Sequence, residues 1–137
     1  MDYRCDKAAR YTKTHEWVRI VGNAPAAPEG SEAVIGVSDY AQHTLSDVVF
    51  VDLPAVGKEL RRETACMVIE SVKAAEDVFA PVSGTVTARN ELLAKQPELV
   101  NTDPFGQGWL LRVKLSDAKE VDSLMDATAY QAYVATL

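Results

Sequence analysis

Cysteine, basic clusters, turn-forming residues and long apolar runs are all scarce in this chain of 137 residues, and each scarcity closes off a class of protein. The two cysteines, Cys5 and Cys66, form no ladder, no C-x-x-C and no metal-ligand spacing, so they read as free thiols in a reducing compartment. The longest uninterrupted apolar stretch, Ala65 to Ile69, has five residues. A membrane-spanning helix needs about 20, so no membrane partner is expected. Lys and Arg total 14 against 20 Asp and Glu, a formal charge of -6, and the one adjacent basic pair is Arg61-Arg62. Such a surface repels phosphate, which argues against nucleic acid and favours protein partners. Glycine and proline number 7 and 6, well below the level that signals disorder. The opening MDYRCDKAAR has no apolar segment between charge and cleavage site, so no secretory signal is expected.

Motifs of free-standing catalysis are missing too. His15-Glu16 begins like H-E-x-x-H, but Arg19 stands four residues after His15, so the zinc clasp is incomplete and no metal site is expected. There is no G-x-x-x-x-G-K-[ST], no G-x-S-x-G, and Gly106 and Gly108 lead into a strand instead of a helix N-terminus. His15 and His43 read as hydrogen-bonded structural or surface histidines.

What the chain does have is a 47% apolar content, enough for one core, which predicts a single domain over 1–137. Short runs rich in Val, Ile, Thr and aromatics between turn residues predict a mostly β protein. Strands are expected at His15–Val21, Ala33–Val37, Val48–Val51, Cys66–Ile69 and Trp109–Leu115. A further pair, Asp77–Ala80 and Gly84–Ala88, would join through a tight reversal at Pro81-Val82-Ser83-Gly84, with Gly84 free to take positive φ. Val48–Val51 and Cys66–Ile69 are apolar on both parities and so read as central strands, covered on both faces or forming a tightly closed wall. Ser38 is a candidate N-cap for a helix over Tyr40–Leu45, and Asn90 for one carrying Leu92 and Leu93 into the core until Pro97. Asp117 with Glu120 resembles a capping box, and Asp126 would cap a C-terminal helix with Tyr130, Tyr133, Val134 and Leu137. Residues 23–32, NAPAAPEGSE, read as an exposed loop, and Trp17 and Trp109 as packing residues.

One lysine stands out. In Met67–Gly84 an apolar strand runs into a charged apex of small residues and back into a strand, which places Lys73 at the tip of a hairpin. A rigid exposed tip suits an amine that another enzyme must enclose and acylate, since the resulting long arm can then sweep between active sites. Glu70, Glu76 and Asp77 flank it and favour its protonated form, so acylation would need an activated donor and an enzyme that removes the proton.

Four spaced motifs in order then carry a resemblance: YTKTHEWV at 11–18, VSDYAQHTLSDVVFVDLP at 37–54, ESVKAAEDVFAPVSGTV at 70–86 and NTDPFGQGWLLRVKL at 101–115. Over these, from about Tyr11 to the C-terminus, the chain resembles the H protein of the glycine cleavage system, a lipoyl carrier. The resemblance implies a barrel-sandwich hybrid with short helices and a helical C-terminus, and lipoate in amide linkage to Lys73. It implies no catalytic residue of its own but a shuttle among three enzymes. A pyridoxal-phosphate glycine decarboxylase (P protein) passes the aminomethyl group to the lipoyl disulfide. A folate-dependent aminomethyltransferase (T protein) removes it, and dihydrolipoamide dehydrogenase (L protein) reoxidises the thiols. A lipoate ligase or lipoyltransferase would load Lys73. The loaded arm is expected to fold back onto the HEW segment, where Glu16 would pair with the cargo's ammonium, with Thr14 and Asp77 as further polar groups. Such a carrier would reside in a bacterial cytoplasm or, as a processed chain, in the mitochondrial matrix.

Two departures accompany the resemblance: the 23–32 loop is longer than usual, and Ser46 stands where glycine is more common, which could change a turn. Lipoyl domains of 2-oxo acid dehydrogenases usually have an acidic residue before the lysine, here Val72, and biotin carriers flank theirs with methionine, here Val72 and Ala74. A role as lipoyl relay or donor to 2-oxo acid dehydrogenase complexes is the alternative within the same family.

Overall fold

In a computed structural model of the chain, which describes residues 3–22 and 30–137, the β-branched and aromatic runs form two antiparallel sheets. The larger has six strands in the order β1 (Arg10–Tyr11), β2 (Glu16–Ile20), β3 (Glu32–Val37), β9 (Leu111–Leu115), β8 (Gly84–Arg89) and β5 (Glu59–Leu60). The smaller has three, in the order β4 (Val48–Asp52), β6 (Ala65–Ser71) and β7 (Ala75–Phe79). Between them run α1 (Asp39–Leu45), a 3₁₀ turn at Glu91–Ala94, α2 (Leu99–Thr102) and α3 (Lys119–Asp122), and α4 (Ala127–Val134) closes the chain. This is the barrel-sandwich hybrid that the resemblance implied. None of the described helices is long and apolar enough to cross a membrane.

The core lies between the sheets, where Val18, Ile35, Val86 and Val113 of the larger meet Met67, Ile69 and Val78 of the smaller. Each such side chain contributes about 1.5–3 kcal/mol by leaving water. A second cluster joins the first strands to the last helix: Tyr11 stacks on Tyr130 with ring centroids 4.5 Å apart, and buried Trp17 donates from Nε1 to the carbonyls of Val37 and Pro104 at 3.0 and 3.2 Å. Trp17 is thus the packing residue expected, and Arg19 lies 4.8 Å over its ring.

The helix starts follow their capping residues. Ser38 Oγ accepts from the Ala41 N–H, Asn90 Oδ1 from Leu92 and Asp126 Oδ1 from Ala129, each satisfying a donor that the helix itself leaves free. Elsewhere the structure corrects the sequence reading. Glu120 does not close a capping box with Asp117; its carboxylate accepts from the Ser83 N–H and Oγ, tying α3 to the segment before β8. Leu93 is buried in the 3₁₀ turn, but Leu92 is 48% exposed because three residues per turn cannot bring both to one face. Asp77–Ala80 and Gly84–Ala88 are not hairpin partners: β7 pairs with β6, whereas β8 pairs with β5 and β9, so Pro81–Ser83 carry the chain from one sheet to the other. Gly84 is needed there for another reason than positive φ, since a Cβ would collide with the Lys114 carbonyl of the neighbouring strand.

The strands expected to be covered on both faces are not. Along β6, Met67, Ile69 and Ser71 are buried while Glu70 faces out, an ordinary one-sided alternation. Strand β4 is an edge of the smaller sheet, and Val49 and Phe50 are exposed. The expected loop at 23–32 lies outside the described residues as far as position 29.

Candidate functional site

Lys73 sits at the tip of the β6–β7 hairpin, as its sequence context predicted. The turn is pinned from inside by Ser71: its backbone N–H donates to the Ala74 carbonyl at 2.8 Å, and its Oγ accepts from the N–H groups of Lys73 and Ala74 at 3.3 and 3.2 Å. From outside, the Val72 N–H donates to the Asp47 carbonyl at 3.0 Å, anchoring the tip to the segment before β4. The backbone of the tip is therefore held on both sides while the Lys73 side chain is exposed. Among the described residues it forms no ion pair with Glu70, Glu76 or Asp77.

The second half of the site is made by the segment before β2. His15 takes φ +77°, in the left-handed region, and this tight turn lets the Thr12 N–H donate to the Glu16 carbonyl at 2.9 Å. The chain then enters β2 with the Glu16 side chain turned inward, only 3% exposed. Its Oε1 accepts from Thr12 Oγ1 at 2.8 Å and from Thr14 Oγ1, and its Oε2 from the Phe79 N–H at 3.4 Å. Burial raises the Glu16 pKa above its ordinary value, against the lowering effect of those donors. A carboxylate so enclosed costs stability unless paired, and among the described residues its partners are three neutral donors and no cation.

The fold brings the two halves together. Thr14, Glu16, Lys73 and Asp77 all line one cleft of about 310 Å³, whose remaining wall includes Val37, Leu45 and Val78. Each residue singled out from the sequence is therefore present at one place. Two participants were missed: Thr12, for which the T-x-T-x-E spacing is the available signal, and the Phe79 N–H, for which there is none because it arrives from β7. His15 also lines the cleft, and its Nδ1 lies 2.8 Å from the Tyr130 hydroxyl, which in turn lies 2.6 Å from Ser38 Oγ. It is the structural histidine expected. Burial pushes the Cys66 thiol up to about 12, with the Glu16 charge adding to the shift, so that thiol is no nucleophile.

A mixed cleft beside an exposed amine has a defined chemical capacity. Its apolar side chains suit a flexible hydrocarbon and sulfur arm, and the buried carboxylate suits a cationic amine at the end of that arm. An acyl arm rooted on Lys73 fits these residues.

Comparison with known proteins finds relatives along most of the chain. Residues 9–137 match the family model described as Glycine cleavage H-protein. The glycine cleavage system H protein of Halorhodospira halophila is 50% identical over 126 residues, 92% of each chain. That of Beijerinckia indica is 52% identical over 128 residues, 93% of this chain and 97% of the relative. A crystal structure of a glycine cleavage system H protein from Mycobacterium marinum superposes with a TM-score of 0.84 at 32% identity, covering 97% of this chain and all of that one. By sequence and by fold, this chain belongs to the glycine cleavage H-protein family.

Proposed function

We propose that this chain is the lipoyl carrier of a glycine cleavage system, with lipoate in amide linkage to Lys73. The observation that carries the reading is the exposed Lys73 on a pinned hairpin, opening onto the cleft that holds the buried carboxylate of Glu16. Lipoate, when bound, supplies a disulfide that takes up the aminomethyl group of glycine and is reduced in doing so.

The chain's own residues do the rest without catalysing a reaction. The Ser71 and Asp47 contacts fix the root of the arm, so its swing starts from one position. Val37, Leu45 and Val78 exclude water from the cleft wall. Thr12 and Thr14 hold Glu16 Oε1 in place, and Glu16 offers a charged acceptor to an amine cargo. Asp77 stands exposed among the lining residues, able to meet the same ammonium as it enters. The catalysts are the partner enzymes: the pyridoxal-phosphate decarboxylase, the folate-dependent aminomethyltransferase and the flavin dehydrogenase, with a lipoylating enzyme to load the lysine.

The test is intact mass and peptide mapping after expression with lipoate and a lipoylating enzyme. A lipoyl adduct confined to the Lys73 peptide, and absent from Lys73→Arg, is expected. Folded protein with no adduct, while the enzyme modifies a control carrier, would overturn the reading.

A further inference from the structure

Strand β4 reads Val-Val-Phe-Val and has no polar side chain until Asp52, yet two of its apolar residues face solvent. The register against β6 explains how. Val48 pairs with Ser71 and Phe50 with Glu70, so the pairing slips at Val49. The extra residue breaks the strict alternation and turns two successive apolar side chains outward, leaving Val49 53% and Phe50 50% exposed. Val72, next to Lys73, is 66% exposed and is tied to the segment before β4 through its bond to Asp47. Val49, Phe50 and Val72 thus lie on the hairpin's flank, at the root of Lys73. Nothing in the fold needs them there, since polar residues would satisfy an exposed edge strand better.

Charge says what kind of surface covers this patch. Asp47 and Asp52 flank Val49 and Phe50 along the chain and Glu70 pairs with Phe50, all three exposed, and Lys73 is the one cation carried by this hairpin. A second copy of the chain would set carboxylate against carboxylate at a formal charge of -6 each. A protein with an apolar socket rimmed by Arg or Lys would meet both features.

We propose that Val49, Phe50 and Val72 form the docking patch for the enzyme that acylates Lys73, through an apolar socket with a basic rim. This rests on Lys73 being the lipoylated residue. The partner enzymes of the loaded carrier meet its cargo at the far end of a long arm. The acylating enzyme must instead hold Nζ itself against the acyl carbon. There the ammonium gives up two protons in all, Nζ forms the amide bond, and the activating group of the lipoyl donor leaves with the bonding pair. Only that enzyme is forced to grip the surface within one hairpin of the nitrogen, and a patch of three side chains fits a brief encounter of this kind.

Steady-state lipoylation kinetics of the unmodified full chain, with a lipoate ligase, lipoate and ATP, test the assignment. Phe50→Ser is expected to raise KM for the carrier about tenfold with kcat within about twofold, the scale of a lost interface anchor. Phe50→Leu should stay near wild type, as should Leu92→Ser, which removes an exposed apolar side chain elsewhere. Added salt should raise KM for wild type and Phe50→Ser alike. Circular dichroism of each variant checks folding. An unchanged KM for folded Phe50→Ser, with the adduct still formed on Lys73, would overturn the docking patch and leave the carrier reading standing. A salt-independent KM would overturn the basic rim. A concentration-dependent dimer of wild type that Phe50→Ser abolishes would give the patch to a second copy instead. Absence of any adduct on wild type would remove the carrier reading itself, and the patch with it.

Discussion

Ser46 closes α1 with φ +68° and ψ -160°, a combination that crowds any Cβ and is occupied almost entirely by glycine. The residue stays because its backbone is bonded on both sides: its N–H donates to the Gln42 carbonyl at 3.1 Å, and its carbonyl accepts from Asn101 Nδ2 at 2.8 Å. Ser46→Gly keeps both bonds and relieves the strain, so it should raise the unfolding free energy by about 1 kcal/mol, read as a higher urea midpoint. Glu16 makes the opposite bargain, since burial raises its folded pKa above the ordinary 4.5. The folded state then holds the proton more tightly than the unfolded one, and stability falls as pH climbs from about 4.5 through the raised value. Urea unfolding of wild type and Glu16→Gln between about pH 4 and 7 should therefore show wild type losing ground to the variant as pH rises. A constant difference across that range would mean that Glu16 titrates alike in both states.

At the scale of elements, α4 reaches the cleft through one hydroxyl. Tyr130 is 1% exposed, and its oxygen lies between His15 Nδ1 on the turn before β2 and Ser38 Oγ at the start of α1. Both of those elements line the cleft, so the C-terminal helix steadies its two walls at a distance. Tyr130→Phe keeps the ring stacked on Tyr11 and removes only the oxygen, at an expected cost of about 1–2 kcal/mol. Faster amide hydrogen exchange in α1 than in β8 would locate the loosening; uniform change would mean that the hydroxyl is not a local tie. The segment joining β7 to β8 is a second case of one element deciding another. Because the chain changes sheets at Pro81–Ser83, β7 stays with β6 and keeps Phe79 close enough to donate to Glu16.

Across the whole molecule, the two sheets depend on side chains that neither could bury alone. Ile69 is fully buried in the core that both sheets share, while Val72, three residues later in the same hairpin, is mostly exposed. Ile69→Ala should cost about 3 kcal/mol, and Val72→Ala should stay within about 0.5 kcal/mol, both read from urea unfolding. Acylation of Lys73 would remove one positive charge and take the formal balance from -6 to -7. That change is small for the whole surface, though it falls at the hairpin tip, flanked in the chain by Glu70, Glu76 and Asp77.

The sequence by itself determined whatever depends on near neighbours. The strand runs, the Ser38, Asn90 and Asp126 caps and the hairpin tip at Lys73 were legible because period, capping and turn chemistry act over a few residues, whereas the unusual serine at position 46 showed only against the family pattern. Motif order added the family, and with it the names Glu16, Thr14 and Asp77. Only the tertiary structure decided that Glu16 is buried and held by Thr12 and Phe79 as well as Thr14, because burial depends on a strand that arrives 63 positions later. It also decided that Val49 and Phe50 face water, against the plain reading of an apolar run. A single slip in the register with β6 turned them, and register is a property of two strands together.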